Sequence, residues 1–231
     1  MSSNDMIRQN NLDFIRNLQS SLSDISAIIL NHHYILALDK NEIRRDKLEL
    51  FVSEQYHIIR NDRKNFALMI SKASNDIATK LFLDCLSVEV EALDTLVIMA
   101  RELGVSINKL ESSEPLAGCN AYTNYLTRLA VYGSDVEILT AILIDFPVWG
   151  ANCAKMSSAL KKNYSYTDSS CVFLDKFAAP LSEDFVSKSN ELVKSALPTY
   201  ENEMRRAARL ILEYELSFWD TIYKYSLQNQ L

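Results

Sequence analysis

Apolar residues recur along this chain at intervals of three and four. Ile15, Leu18, Leu22, Ile25 and Ile29 draw a single stripe down an amphipathic helix near the start. The run Asn31-His32-His33-Tyr34 interrupts it, and Asn41 is placed to cap a second helix carrying Leu48, Phe51, Val52, Tyr56 and Ile59. The charged stretch Arg60 to Arg63 marks a kink, after which Phe66, Met69 and Ile70 resume the apolar face. Asn75 or Asp76 opens a long helix that ends at Gly104, with Arg101 in its last turn where a cation suits the dipole. A loop containing Pro115 follows from Ile107 to Gly118. A helix beginning near Asn120 stops at Gly133, and Ser134-Asp135 caps its successor, which runs to about Lys162. Residues 163–170 form a polar connection. A short helix reaches Phe177, Pro180 stops it and Ser182 caps another; Pro198 fits the first turn of a final helix ending near Leu227. No stretch alternates with period two and no internal repeat is visible. The pattern predicts an all-α multi-helix bundle of about seven antiparallel helices, folded as one domain over residues 1–231.

Composition narrows the class further. Only four glycines and four prolines occur, too few for a β-rich chain with frequent turns, while 48% hydrophobic content is enough for a sizeable core. A net charge of −6 offers no general attraction to phosphate backbones or anionic lipid, so neither nucleic acid nor membrane is expected as a partner. The four cysteines, Cys85, Cys119, Cys153 and Cys171, are widely spaced with no C-x-x-C pair, which points to reduced thiols. The start, MSSNDMIRQNN, has no apolar signal-peptide core, and the apolar run Ile138 to Ile144 is too short to cross a bilayer. The expected location is the cytoplasm.

Glycine-rich phosphate loops, G-x-S-x-G and H-E-x-x-H are missing, so chemistry has to be sought in polar residues set inside apolar helices. Asp145 is the most conspicuous, within Ile138-Leu-Thr-Ala-Ile-Leu-Ile-Asp145-Phe-Pro-Val-Trp149. A buried carboxylate needs a partner or a ligand; the ordinary alternative is a structural ion pair or compensation for the backbone gap at Pro147. Glu215 precedes Trp219 by one turn, and a carboxyl beside large aromatics is held with a raised pKa; the ordinary alternative is a surface glutamate. Glu54 and His57 stand at i, i+3, a spacing compatible with a shared metal and more often with an exposed polar pair. Tyr122 is a candidate to stack on or hydrogen-bond a small aromatic ligand, with core packing as its default role.

Taken in order, His33-Tyr34-Ile35, Glu54-Gln55-Tyr56-His57-Ile58, Glu102-Leu103-Gly104-Val105, Ala121-Tyr122-Thr123, Glu137 to Leu143 and Glu215-x-x-Phe218-Trp219-x-x-x-Tyr223 resemble the TenA (thiaminase II) family. The resemblance spans about residues 30–226 and implies a heme-oxygenase-like helical fold. It also implies a homodimer or homotetramer, no cofactor, and an internal pocket for a small heteroaromatic, pyrimidine-like compound related to thiamin. Carried over residue by residue, the family's cysteine nucleophile falls on Asp145, its pyrimidine-binding aspartate on Gln55 and two pocket tyrosines on Ile58 and Phe177. Tyr122 and the acid/base Glu215 match, and Trp219 is expected beside Phe177 as an apolar wall. With Asp145 and Glu215 as the catalytic candidates and no thiolate, ordinary thiaminase chemistry is not expected. The relatives with oxidase chemistry include PqqC-like oxidases and a di-iron branch resembling the chlamydial death-domain-associating protein; the di-iron branch needs several histidines, some on the late helices, and this chain has His32, His33 and His57 and none beyond. A scaffold kept only for binding is the remaining alternative.

Overall fold

The computed structural model describes residues 14–225. Among them are ten α-helices, one 3-10 turn and no strand. In chain order the helices are α1 (Phe14–Ser21), α2 (Ser23–Leu30), α3 (His33–Asp39), α4 (Arg45–Lys72) and α5 (Asp76–Glu102). They continue as α6 (Ile107–Ser112), α7 (Ala117–Tyr132), α8 (Asp135–Asn163), α9 (Val172–Ala178) and α10 (Glu183–Lys224), with the 3-10 turn Ser169–Cys171 leading into α9.

Side-chain caps fix several of the starts. The Asn75 side chain accepts from the Ala78 N–H at 3.0 Å to open α5, and Ser182 accepts from the Phe185 N–H at 3.2 Å to open α10. Ser134 and Glu137 form a reciprocal capping box at α8. Gly104, with φ +66°, turns the chain out of α5 in a conformation that disfavours any side chain.

Five boundaries differ from the sequence expectation. The first stripe is split into α1 and α2 at Leu22, although Leu18 and Ile29 are buried as one face. Asn41 adopts a left-handed turn (φ 59°) and does not cap α4, which starts at Arg45. No break interrupts α4 at Arg60 to Arg63, because Asp62, Asn65 and Phe66 there are buried against neighbouring helices and hold the helix in register. The expected loop from Ile107 contains α6, opened by a Ser106 cap. Pro198 lies inside α10 instead of near its start. An interior proline costs about 3 kcal/mol, yet Val193 and Leu197 before it and Met204, Ala207 and Ile211 after it bury in one core, so continuing the helix gains more. The expected end near Leu227 lies outside the described residues.

Helices α8 and α10 form the centre, with α4, α5 and α7 around them. Every residue from Ile138 to Asp145 is buried. This makes α8 apolar and long enough to cross a membrane by composition alone, but 72% of its most apolar window is buried inside the fold, as in a core helix. Its Pro147 faces solvent. All four cysteines are free.

The crossing of α8 and α9 is close. A Cβ at Gly150 would come within 2.7 Å of the Phe177 carbonyl oxygen, which is backbone and cannot swing away. Gly150→Ala is therefore expected to cost about 1–3 kcal/mol by overpacking, seen in calorimetry as a drop of about 2–4 °C in melting temperature per kcal/mol. An unchanged melting temperature would show that the two helices separate freely.

Candidate functional site

One face of α4 presents Gln55, Ile58, Ile59 and Asp62, spaced so that all four point the same way over two turns. Across from it, α8 offers Asp145, Phe146 and Trp149, and α10 offers Glu215 and Phe218. Tyr122 from α7, Phe177 from α9 and Glu89 from α5 close the ring around a cavity of about 500 Å³, counted with its mouth. The space within it open to the centre of a water molecule is only about 50 Å³. Apart from the four acids, Gln55 and the Tyr122 hydroxyl, its lining is apolar, and no lysine, arginine or histidine takes part.

Asp145 and Glu215 meet in this cavity. The Tyr122 hydroxyl donates to Asp145 Oδ2 at 2.7 Å, and the Trp219 indole N–H donates to Glu215 Oε1 at 3.0 Å. The second oxygens, Asp145 Oδ1 and Glu215 Oε2, have no donor among the described residues other than a proton carried by one of the two acids. Burial pushes Asp145 up to about 6, held from rising further by the donors Tyr122 and Glu215. Burial, and then the Asp145 charge, raise Glu215 well above the usual range. Burial and their mutual repulsion both favour a proton held between the two carboxyls.

Trp219 is fully buried and is not part of the cavity lining. It stands behind Glu215, packed against Phe51, Trp149 and Phe218, because its N–H must reach the carboxyl from one helical turn away. Trp149 occupies the wall beside Phe177, their rings in edge contact at 6.1 Å. Gln55, Ile58, Phe177, Tyr122, Asp145 and Glu215 all line the cavity. Glu54 and His57 do not. Glu54 accepts from the Leu116 N–H at 3.1 and 3.2 Å, anchoring the start of α7, and burial pushes it up to about 7. His57 pairs with the Ser113 hydroxyl at 2.8 Å. No group of three or more His, Cys, Asp or Glu among the described residues is arranged to hold a metal. No cysteine lines the cavity either; Cys153, on α8 near Glu215, is buried and its thiol is pushed up away from thiolate.

Two acids here were not singled out in the sequence. Asp62 accepts from Asn65 Nδ2 at 3.1 Å and from the Thr123 hydroxyl, and burial pushes it up to about 7 against those donors, with the Asp145 charge adding to the rise. Glu89 is raised well above its usual range by burial and by Asp62, with Arg63 acting the other way. Both had a signal. Asp62 lies two turns after Gln55 on the same face, and Glu89 sits on the apolar stripe Phe82, Ala92, Leu96 of α5.

These raised values fix a pH dependence. A carboxyl that holds its proton more tightly when folded loses stability as pH rises from its unfolded value through its folded one. Asp62 and Asp145 therefore destabilise the fold increasingly from about pH 4 to about pH 7. Glu89, Tyr122 and Glu215 face the same space, with Arg63 beyond Glu89. Asp46, Asp168 and Asp220 are lowered and act oppositely, but largely in solvent, where such pairs contribute little. Asp62→Asn should raise the melting temperature at about pH 7.5 more than at about pH 4.5. A shift of the same size at both would contradict the burial of its charge.

Much of the chain matches known proteins in a consistent way. It is 28% identical over 137 residues to an aminopyrimidine aminohydrolase of Halalkalibacterium halodurans, covering 57% of this chain and 59% of that relative's length. To an aminopyrimidine aminohydrolase of Helicobacter pylori it is 23% identical over 216 residues, covering 84% and 91%. A solved domain of unknown function with a heme-oxygenase-like fold, from Shewanella denitrificans, superposes with a TM-score of 0.73 at 18% identity, covering 90% of this chain and 91% of that one. The profile of the TENA/THI-4/PQQC family matches residues 19–225. On that extent of match, the all-α chain with its heme-oxygenase-like fold belongs to the TENA/THI-4/PQQC family.

Proposed function

We propose that this protein hydrolyses an exocyclic amine from an aminopyrimidine-type ring, using a carboxyl pair where the family pattern has a thiol. The observation that carries this reading is the meeting of two buried carboxyls, Asp145 and Glu215, at the wall of one cavity, each held by a donor on one oxygen and, among the described residues, without one on the other. Family membership and the named activity of the two curated relatives support the same substrate class.

Asp145 takes a proton from water, whose oxygen attacks the ring carbon bearing the amine. Glu215 gives its proton to the leaving nitrogen as the C–N bond breaks, and the products are the hydroxylated ring and ammonia. Asp145 acts here as a base and not as a nucleophile, since a carboxylate is a weak attacker of a heteroaromatic carbon. Trp219 positions Glu215 through its N–H, and Tyr122 positions Asp145 through its hydroxyl. Trp149, Phe177 and Phe218 supply the apolar faces against which a flat ring stacks. Gln55, where the family pattern has an aspartate, offers a neutral amide; it favours an uncharged ring over cationic thiamin itself.

Ammonia release from an aminopyrimidine, followed by a coupled assay, tests the proposal. Asp145→Asn and Glu215→Gln should each lower kcat by about 10²–10⁴-fold. Tyr122→Phe should lower it less and should move the acidic limb of the kcat/KM profile upward from about 6, since a donor to the anion is lost. Full turnover in Asp145→Asn would refute the mechanism. Ring binding without turnover by the wild type would reduce the protein to a binding scaffold.

A further inference from the structure

Asp145 and Glu215 face about 50 Å³ of water-accessible space, which a few waters fill at about 10–15 Å³ each. A six-membered ring reaches the two acids only if one wall of the cavity gives way. Outside one wall lies a second cleft, between α1, α8, α9 and the start of α10, with about 680 Å³ open to the centre of a water molecule. Ile15, Leu143, Pro147, Ala151, Ala178 and Leu181 give it a largely apolar lining. Phe146 is the one described residue that lines both spaces. Its ring is partly exposed and leans on Phe177, with centroids 5.8 Å apart.

Two features free Phe146 to move. Pro147 has no N–H, so the Leu143 carbonyl lacks its usual helical donor and the turn that carries Phe146 is held by one bond fewer. On the cleft side the neighbours are small, Gly150, Ala151 and Ala178, so a Phe146 ring in another staggered rotamer meets open space and not a packed core. We propose that this cleft is the vestibule of the catalytic cavity and that Phe146 is the gate between them, swinging outward to pass a flat ring beside Phe177 and back to shut out water. That the passenger is a heteroaromatic ring rests on the reading above; the route and the gate do not. A gate crossed on the way in and on the way out changes both rates and leaves the affinity alone.

Acrylamide quenching of the intrinsic fluorescence reads the gate with no ring present, because Trp149 lines the inner cavity and Trp219 is fully buried. Phe146→Ala on the full chain should raise the quenching constant at least about threefold, since access scales with the open fraction. Ala151→Leu, which fills the vestibule one turn beyond Pro147, should lower the constant both in the wild type and in Phe146→Ala. Melting curves confirm that the variants are folded, and the wild-type comparison with Ala151→Leu stands should Phe146→Ala not fold. A constant that neither substitution moves overturns the gate. With 4-aminopyrimidine in stopped flow, Ala151→Leu should slow association and dissociation together by about threefold or more, with Kd unchanged within about twofold. Unchanged rates, or an effect on Kd alone, overturn the route. Should 4-aminopyrimidine fail to bind the wild type, the ring reading falls and the quenching series alone decides the gate.

Discussion

The withdrawal of Asp145 from water governs the centre of this molecule. It stands at the end of an uninterrupted buried run on α8, so its charge can be kept only by donors that other helices bring to it. Tyr122 comes from α7 and Glu215 from α10, and Trp219 holds Glu215 in turn from within the aromatic cluster of Phe51, Trp149 and Phe218. Packing of α7, α8 and α10 and the protonation of one carboxyl pair are thus a single constraint. A shift of any of these helices would strand a buried charge without its partner, and that desolvated charge costs more than the hydrogen bond itself is worth.

The cations that could have neutralised the interior are engaged elsewhere. Lys47 donates to the Ile222, Tyr223 and Tyr225 carbonyls at the end of α10, and Lys72 to those of Ala130 and Val131 at the end of α7. Lys155 reaches the Leu30 carbonyl closing α2, and Arg45 reaches Leu103 beyond α5. Each satisfies carbonyls that a helix leaves open at its C-terminus. These four cations therefore serve helix ends, and of the described basic residues only Arg63 acts on a cavity acid, Glu89. That division of charge separates scaffold from site.

Local rules made much of this readable. Asn75, Ser134 and Ser182 cap where short polar side chains before an apolar run are expected to, and Gly104 ends α5 for want of a Cβ. Asp145 was legible because a lone carboxylate at the end of an apolar run has few innocent explanations. Asp62 was not, because Arg60, Asn61, Arg63 and Lys64 around it give the look of a solvated stretch; only the packing of α7 shows which of these side chains turns inward. Glu89 was masked in the same way by Ser87 and Glu91. The uninterrupted course of α10 through Pro198 was equally hidden, since the chain carries the local signal for a start and tertiary burial on both sides overrides it. Trp219 shows a subtler limit, for the sequence places it one turn from Glu215 but does not say which of the two faces the void.

The position of the two tryptophans has a spectroscopic consequence. The chain has only two, Trp149 in the cavity wall and Trp219 hydrogen-bonded to Glu215, with ring centroids 5.6 Å apart. All indole emission from this protein therefore originates within one residue's width of the carboxyl pair. Excited at the indole band, the molecule illuminates its own cavity, and no label is needed to watch water leave it or a proton arrive.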